Sequence, residues 1–397
     1  MFLNQETLNT DYLIIGAGIV GMTIARQLKA TGVKHIILLE KENAIGKHAS
    51  GRNSGVLHTG IYYPHETLKA KLCLKGNRLM QRYCQEKNLP CKTLGKVIVA
   101  KNQDDLATLD ILYQQAISNG AKIRHLNQEA LAKIEPNART YQSALFVEET
   151  AIIDNHAILK SIYNELIQDG IQVLFNQQFK YLEDDNIAIT NRQKIKFEHL
   201  INAAGAYADK VAHRCGVGKD YSFIPFKGSY RKLIREKSGL INANIYPTPN
   251  LKNPFLGVHF TKNIQGEVYI GPTAAPAFGR ENYGFIKGMN HEAIKILYDQ
   301  SKLFFMNPKF RHLALTEPKK SFSRYFYQDA KELVHHLEPE WISPCRKVGI
   351  RPQLVNKKTN ELEMDFILIK NKQQLHVLNA ISPAFTCSLA FADYVVN

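Results

Sequence analysis

The sequence predicts a mixed α/β and α+β chain, in which a Rossmann-like nucleotide-binding domain is interleaved with an antiparallel-sheet domain. Three observations lead there. A glycine-spaced turn, Gly16-Ala17-Gly18-Ile19-Val20-Gly21, separates a strand-like Tyr12–Ile15 from a helical pattern of Val20, Ile24 and Leu28. Short strand and helix signals alternate again from His156 to Asp209. Phe223 to Ile270 is rich in Tyr, Phe, Val and Ile broken by Pro and Gly, the composition of an antiparallel sheet.

The first unit reads as βαβ. A second strand, His35 to Leu39, delivers Glu40 nineteen residues beyond Gly21. In this layout Gly16 makes the tight turn, Gly18 lets backbone approach a pyrophosphate, and Gly21 permits close helix–strand packing. The phosphates lie at a helix N-terminus, so Ile19 and Val20 join the contact. Glu40 is placed to accept from ribose hydroxyls, with Lys41 beside it.

A long loop from Lys41 to Thr67 follows, a length that usually serves a function. Helices are predicted over Thr67–Lys87 and Asp104–Asn119, with a strand at Lys96–Ala100 between them. A helix over His156–Gln168 ends at Gly170, and strands follow near Ile171, Phe179, Ile187 and Ile195. Leu200 to Asp209 is a buried strand opening through Ala204-Gly205 into a helix, a second place where backbone can approach a nucleotide. Helices are predicted over Asn290–Phe304 and Ser323–His336, strands at Phe366–Ile369 and His376–Leu378, and a last helix over Pro383–Val395, with Ser382 as N-cap and Pro383 at N1.

Composition narrows the function classes. A net charge of +15 is spread over scattered residues with no five-residue basic block, which disfavours nucleic acid. The same field would concentrate an anionic substrate or favour an anionic membrane surface. The six cysteines have neither CxxC nor metal-ligand spacing, so they read as reduced thiols of a cytoplasmic protein and no metal is expected. Met1 to Thr10 lacks an apolar signal core and no stretch of about eighteen apolar residues occurs. Peripheral attachment to the inner face of the cytoplasmic membrane stays open.

A single GxGxxG, with no second fingerprint and no redox CxxxxC, fits one tightly held FAD better than NAD. The loop Ser50-Gly51-Arg52-Asn53-Ser54-Gly55-Val56-Leu57-His58-Thr59-Gly60-Ile61-Tyr62-Tyr63 has the small polar residues needed to line such a cofactor. With Leu68-Lys69-Ala70, Gly76-Asn77-Arg78, Gly95-Lys96, Pro225-Phe226-Lys227-Gly228, Phe255-Leu256-Gly257-Val258-His259-Phe260-Thr261, Gly349-Ile350-Arg351 and Asn379 to Ala384, the chain resembles the L-2-hydroxyglutarate dehydrogenase/oxidase family. That family lies within the FAD-dependent D-amino-acid oxidase/glycerol-3-phosphate dehydrogenase superfamily. The resemblance runs nearly end to end.

The resemblance implies a discontinuous FAD-binding domain, 1–90, 150–222 and 340–397, and a substrate domain, 91–149 and 223–339. It implies hydride transfer from C2 of L-2-hydroxyglutarate to flavin N5, giving 2-oxoglutarate, with electrons passed to a quinone or oxygen. Glycerol 3-phosphate, another 2-hydroxy acid or an amino acid is the alternative substrate. Cofactor contacts are implied at Ser50, Asn53, Ser54, Gly55, Val56, the Phe179 strand (beside adenine), Ala204 and Gly205. Ser382, Pro383 and Ala384 would aim a helix N-terminus at the flavin N1–C2=O edge, where it stabilises the anionic reduced form.

For the substrate, Arg351 is the first choice of carboxylate clamp, since a guanidinium binds both oxygens, and it also faces the cofactor. Lys227 and Arg231 are second choices. His58 and His259 are the two candidates for the base that takes the hydroxyl proton, with Tyr62 or Tyr63 as a hydroxyl donor. A non-catalytic flavin-binding protein and an RNA-associated flavoprotein are the rival classes.

Overall fold

The computed structural model describes residues 7–250, 255–285 and 287–397, so residues 1–6, 251–254 of the middle sheet region and 286 lie outside it. The chain forms two compact units: 1–52, 155–224 and 351–397 in one, 53–154 and 225–350 in the other.

In the first unit the βαβ pattern is realised. Leu8–Ile15 lies between Ile36–Leu39 and Lys194–Asn202, parallel to both, with Ile14 opposite Leu38 and Ile201. Gln172–Leu174 continues the parallel sheet on one side and Gln374–Val377 on the other. Such a sheet is covered on both faces, which is why Ile36-Ile37-Leu38-Leu39 is a continuous apolar run with every residue buried. Phe179–Asp184 and Ile187–Thr190 extend the sheet as an antiparallel hairpin. The helix Ile19–Ala30 packs against the last helix, Ala384–Val396, and Thr23 Oγ1 donates to the Ser388 carbonyl at 3.1 Å.

The second unit is built on a sheet ordered Tyr221–Leu233, Val268–Gly271, His259–Lys262, Asn244–Pro247, Lys96–Val99, Ser143–Val147, Ile123–Asn127. Its pairs are antiparallel except one. Asn244–Pro247 runs parallel to Lys96–Val99, with Asn244 opposite Lys96. Alternation along Lys96–Val99 sends Val97 and Val99 into a core with Ile245, Phe260 and Ile270, and Ile98 into another with Leu74, Leu109, Leu112 and Tyr246.

The units divide at different residues from the sequence-derived domains. Residues 53–90 lie with the second unit because Val56–Leu57 pairs with Ala151–Ile153, and because Asn77 ties the loop after it to the helix Leu68–Glu86. Residues 340–350 likewise belong to that unit. Two helices also differ. The one beginning at Ser323 stops at Lys331, and the final helix starts at Ala384. Pro383 is its cap, with a non-helical ψ of 41° and its carbonyl accepting from Cys387 N at 3.0 Å. The helix thus starts one residue after the expected N1, with Pro383 at the cap position instead.

Asn77 is fully buried and its Nδ2 donates to the carbonyls of Leu57, His58 and Glu149 at 3.1, 3.0 and 3.1 Å. Removing it strands buried carbonyls. Asn77→Ala is therefore expected to lose roughly 3 kcal/mol of stability, read as a lower denaturant midpoint at unchanged slope.

Candidate functional site

The glycine turn of the first unit is shaped by its own backbone. A Cβ on Gly16 would lie 2.5 Å from the Ala203 carbonyl oxygen, and one on Gly21 would lie 2.0 Å from that of Gly16. These two positions exclude any side chain because strand, turn and helix are in contact there. At Gly18 a Cβ would meet only Ser50 Oγ, at 3.2 Å, so this residue is kept small toward the open side of the turn. Gly18 is also the N-cap of Ile19–Ala30 and supplies no side-chain cap. Ser50 Oγ takes one first-turn donor, Ile19 N, at 3.0 Å, and Val20 and Gly21 complete that turn. A helix start with an open glycine cap fits a phosphate group.

Around the turn, Glu40 accepts from Ala17 N at 3.3 Å with one oxygen and from Glu42 N at 2.9 Å with the other. Burial pushes its carboxyl above the usual range, against the pull of these bonds and of His48 and Lys41. Glu40 thus braces the turn, and each oxygen keeps a lone pair for a ribose hydroxyl. Lys41 pairs with Glu42 and contacts His48 at 2.9 Å. Ala204 and Gly205 follow the strand Lys194–Asn202. Ala204 N donates to Asn202 Oδ1 at 3.2 Å, and a Cβ on Gly205 would meet nothing within 4 Å. Phe179 is buried in the core under this sheet, and Arg214 holds its carbonyl. Arg351 is half-buried at the start of the unit's last segment.

In the second unit Asn53 Oδ1 accepts from Gly55 N at 2.9 Å, a local turn that leads through half-buried Ser54 to the strand Val56–Leu57. Past that strand the structure gathers His58, Tyr62 and His259 around Lys96. His259 is 5% exposed and lies directly opposite Tyr246 on the neighbouring strand, ring centroids 3.9 Å apart and 19° from coplanar. Its Nδ1 lies 2.8 Å from the Gly257 carbonyl, an acceptor only, so Nδ1 carries the proton and Nε2 presents a lone pair. Burial brings its pKa down to about 4, with Lys96 adding to the effect and the Gly257 bond opposing it. Burial, Lys96 and His259 together bring His58 to about 3. Both imidazoles are neutral at pH 7.

Lys227 is not part of this cluster's bonding. Its Nζ donates to the Gly284 carbonyl at 2.8 Å, and burial lowers its pKa. Arg231 is committed to Ser323 Oγ and the Ser321 carbonyl and stacks on Phe326. Tyr63 lies under Lys69, 5.4 Å from its ring centroid. Sequence reasoning missed Lys96 and Tyr246 as members of the cluster. The signal for Lys96 was present: a lysine opening the otherwise apolar run Val97-Ile98-Val99-Ala100, in a strand buried at all four positions.

The FAD dependent oxidoreductase (DAO) family model matches residues 11–397. The L-2-hydroxyglutarate dehydrogenase of Indibacter alkaliphilus is 34% identical, over 96% of this chain and 97% of its own. The mitochondrial L-2-hydroxyglutarate dehydrogenase of Dictyostelium discoideum is 35% identical, over 98% and 92%. Among solved structures, dithionite-reduced L-α-glycerophosphate oxidase from Mycoplasma pneumoniae with FAD bound superposes with a TM-score of 0.76 at 22% identity, over 98% of this chain and 94% of that one.

A histidine whose folded pKa lies near 4 binds its proton more readily when unfolded, near 6.5. Its contribution to stability is therefore constant above pH 6.5 and is lost as pH falls from there to 4. His259→Gln keeps a donor for Gly257 and removes the titration. The wild type is expected to lose about 3 kcal/mol relative to this variant between pH 7 and pH 4, measured by chemical denaturation at each pH.

Proposed function

Because the chain belongs to the FAD dependent oxidoreductase family, and within it to the L-2-hydroxyglutarate dehydrogenases, we propose that it oxidises L-2-hydroxyglutarate to 2-oxoglutarate. The observation that carries the chemistry is His259, fixed by Gly257 with Nε2 as an acceptor in a dry aromatic setting. Oxidation of a secondary alcohol removes a hydride from carbon and a proton from oxygen. FAD, when bound, accepts the hydride. The proton goes to His58 or His259, both of which are unprotonated at neutral pH.

The cofactor's pyrophosphate is assigned to Gly16, Gly18, Ile19, Val20 and Gly21, with Ser50 and Glu40 bracing that turn and Ala204-Gly205 flanking it. Lys41, Asn53, Ser54, Gly55, Val56, Phe179 and Arg351 are assigned to the remainder of the cofactor contact. Ser382, Pro383 and Ala384 head the last helix, whose N-terminus favours negative charge. Arg351 is also proposed as clamp for a substrate carboxylate. Lys227 and Tyr62 are proposed as secondary substrate contacts, the lysine after release from the Gly284 carbonyl.

We propose a membrane quinone, rather than oxygen, as the acceptor, and peripheral attachment as the route to it. Among the described residues no helix is long and apolar enough to cross a membrane. The helix Glu292–Met306 buries Ile296 and Leu303 on one side, yet exposes Ile294, Leu297, Tyr298 and Phe305 on the other by 79, 53, 69 and 74%. A surface helix that is apolar on both sides needs a second apolar medium. Lys302, Lys309, Arg311, Lys319 and Arg324 are exposed nearby in sequence, and each adds roughly 1 kcal/mol at an anionic lipid surface.

Two outcomes test these readings. Anaerobic L-2-hydroxyglutarate should bleach the flavin absorbance while the D isomer does not, and loss of colour with neither isomer, or first with glycerol 3-phosphate, would overturn the substrate assignment. The FAD-loaded enzyme should float with phosphatidylglycerol vesicles. Phe305→Asp should sink it and leave turnover with a soluble dye acceptor unchanged.

A further inference from the structure

The helix Leu68–Glu86 carries a charge pattern that helix formation does not explain. Lys71, Lys75, Arg78 and Arg82 are all exposed and recur at spacings of four, three and four residues. At about 3.6 residues per turn they project within about 60° of one another, along roughly 16 Å of the helix. Each consecutive pair brings like charges together, which disfavours the helix. Lys69 and Lys71 also open it with no acid in the first turn, against the helix dipole. Its one carboxylate, Glu86, stands at the last position.

The stripe forms the lip of an open groove of about 470 Å³, within the usual size of a small-ligand cleft. Leu74 and Leu79 give the groove an apolar strip, and among the described residues no carboxylate lines it. Arg78 is drawn to Glu149 just outside, its Nε donating at 2.8 Å, so three further cations remain along the lip. The facing wall is fixed by Asn119, whose Nδ2 donates to the Gly60 and Tyr63 carbonyls at 3.2 and 3.1 Å. Its Oδ1 lies 3.3 Å from His65 Nδ1, which adds a polar edge to that wall. A row of cations is more than a single carboxylate or phosphate can use. A concave apolar strip beside it suits the ring of a small molecule better than a flat lipid surface. We propose that this groove binds a nucleoside di- or triphosphate, with the phosphates along Lys71, Lys75 and Arg82 and the ring against Leu74 and Leu79. Every residue of the site belongs to the second unit, apart from the glycine turn assigned to the cofactor in the first.

The test is calorimetric titration of the FAD-loaded enzyme with ATP in magnesium-free buffer, so that the cofactor's own nucleotide site is already filled. One ATP per chain should bind, and AMP and tripolyphosphate should each bind at least about tenfold more weakly. Lys75→Gln combined with Arg82→Gln should weaken ATP at least about tenfold. That variant should keep its helix and its flavin, because glutamine is a good helix former and the repulsion is relieved. In the wild type, raising salt from about 0.01 to 0.15 M should weaken ATP severalfold. No ATP binding by the yellow wild type, or the same affinity in the double variant, would overturn the proposal. An affinity indifferent to salt would overturn it without any variant. Equal binding of ATP and tripolyphosphate would overturn it as well, since that marks attraction to charge alone. Flotation with phosphatidylglycerol vesicles that the double variant loses, with no ATP bound, would overturn it in favour of lipid.

Discussion

The parallel pairing of Asn244–Pro247 with Lys96–Val99 is the constraint on which the second unit's chemistry depends. It joins residues about 150 positions apart, and a buried asparagine fastens it. Asn244 Nδ2 donates to the Gly95 carbonyl at 3.3 Å, and its Oδ1 accepts from Lys262 N at 3.1 Å. One side chain thus holds three strands in register. With that register set, Tyr246 shares a face with Lys96, because side chains two residues apart point the same way, and the antiparallel pairing on its other side places Tyr246 opposite His259. A slip of one residue between these two strands would turn Lys96 to the opposite face of the sheet, away from Tyr246.

The cluster so formed trades solvation for chemistry. Two histidines, a lysine and two tyrosines occupy a region where water does not screen them, and burial is the largest influence on each. It depresses the bases and raises the phenols, so every group is held toward its neutral form. The first unit works with the opposite material. There a helix terminus, an open glycine and a braced carboxylate present oriented backbone dipoles, which suit a charged phosphate.

Much of the fold was legible in local patterns. The strand–turn–helix–strand–acid order over the first forty residues, the Thr67 cap of the next helix and the Gly170 stop after the fourth long helical pattern each have a short-range cause. Even the missed helix Pro308–Thr316 carried a readable start, since Asn307 caps it through Phe310 N with Pro308 at its first turn. What sequence reading could not reach was partnership. Lys227 looked like a carboxylate binder, yet it binds a backbone carbonyl, and Arg231 is spent on Ser321 and Ser323. A cation's type is written in the chain, whereas the acceptor nearest to it is decided by folding.

The amino-acid sequence by itself determined the nucleotide turn, the family and the identity of both histidines, because glycine spacing and motif order are local and chemical. Only the tertiary structure decided that Gly18 is open where Gly16 and Gly21 are closed by backbone, and that His259 exposes Nε2 rather than Nδ1. It alone brought Lys96 between two tyrosine rings. Each of these depends on which distant strand lies alongside, and strand register is a property of the packed sheet rather than of any one segment.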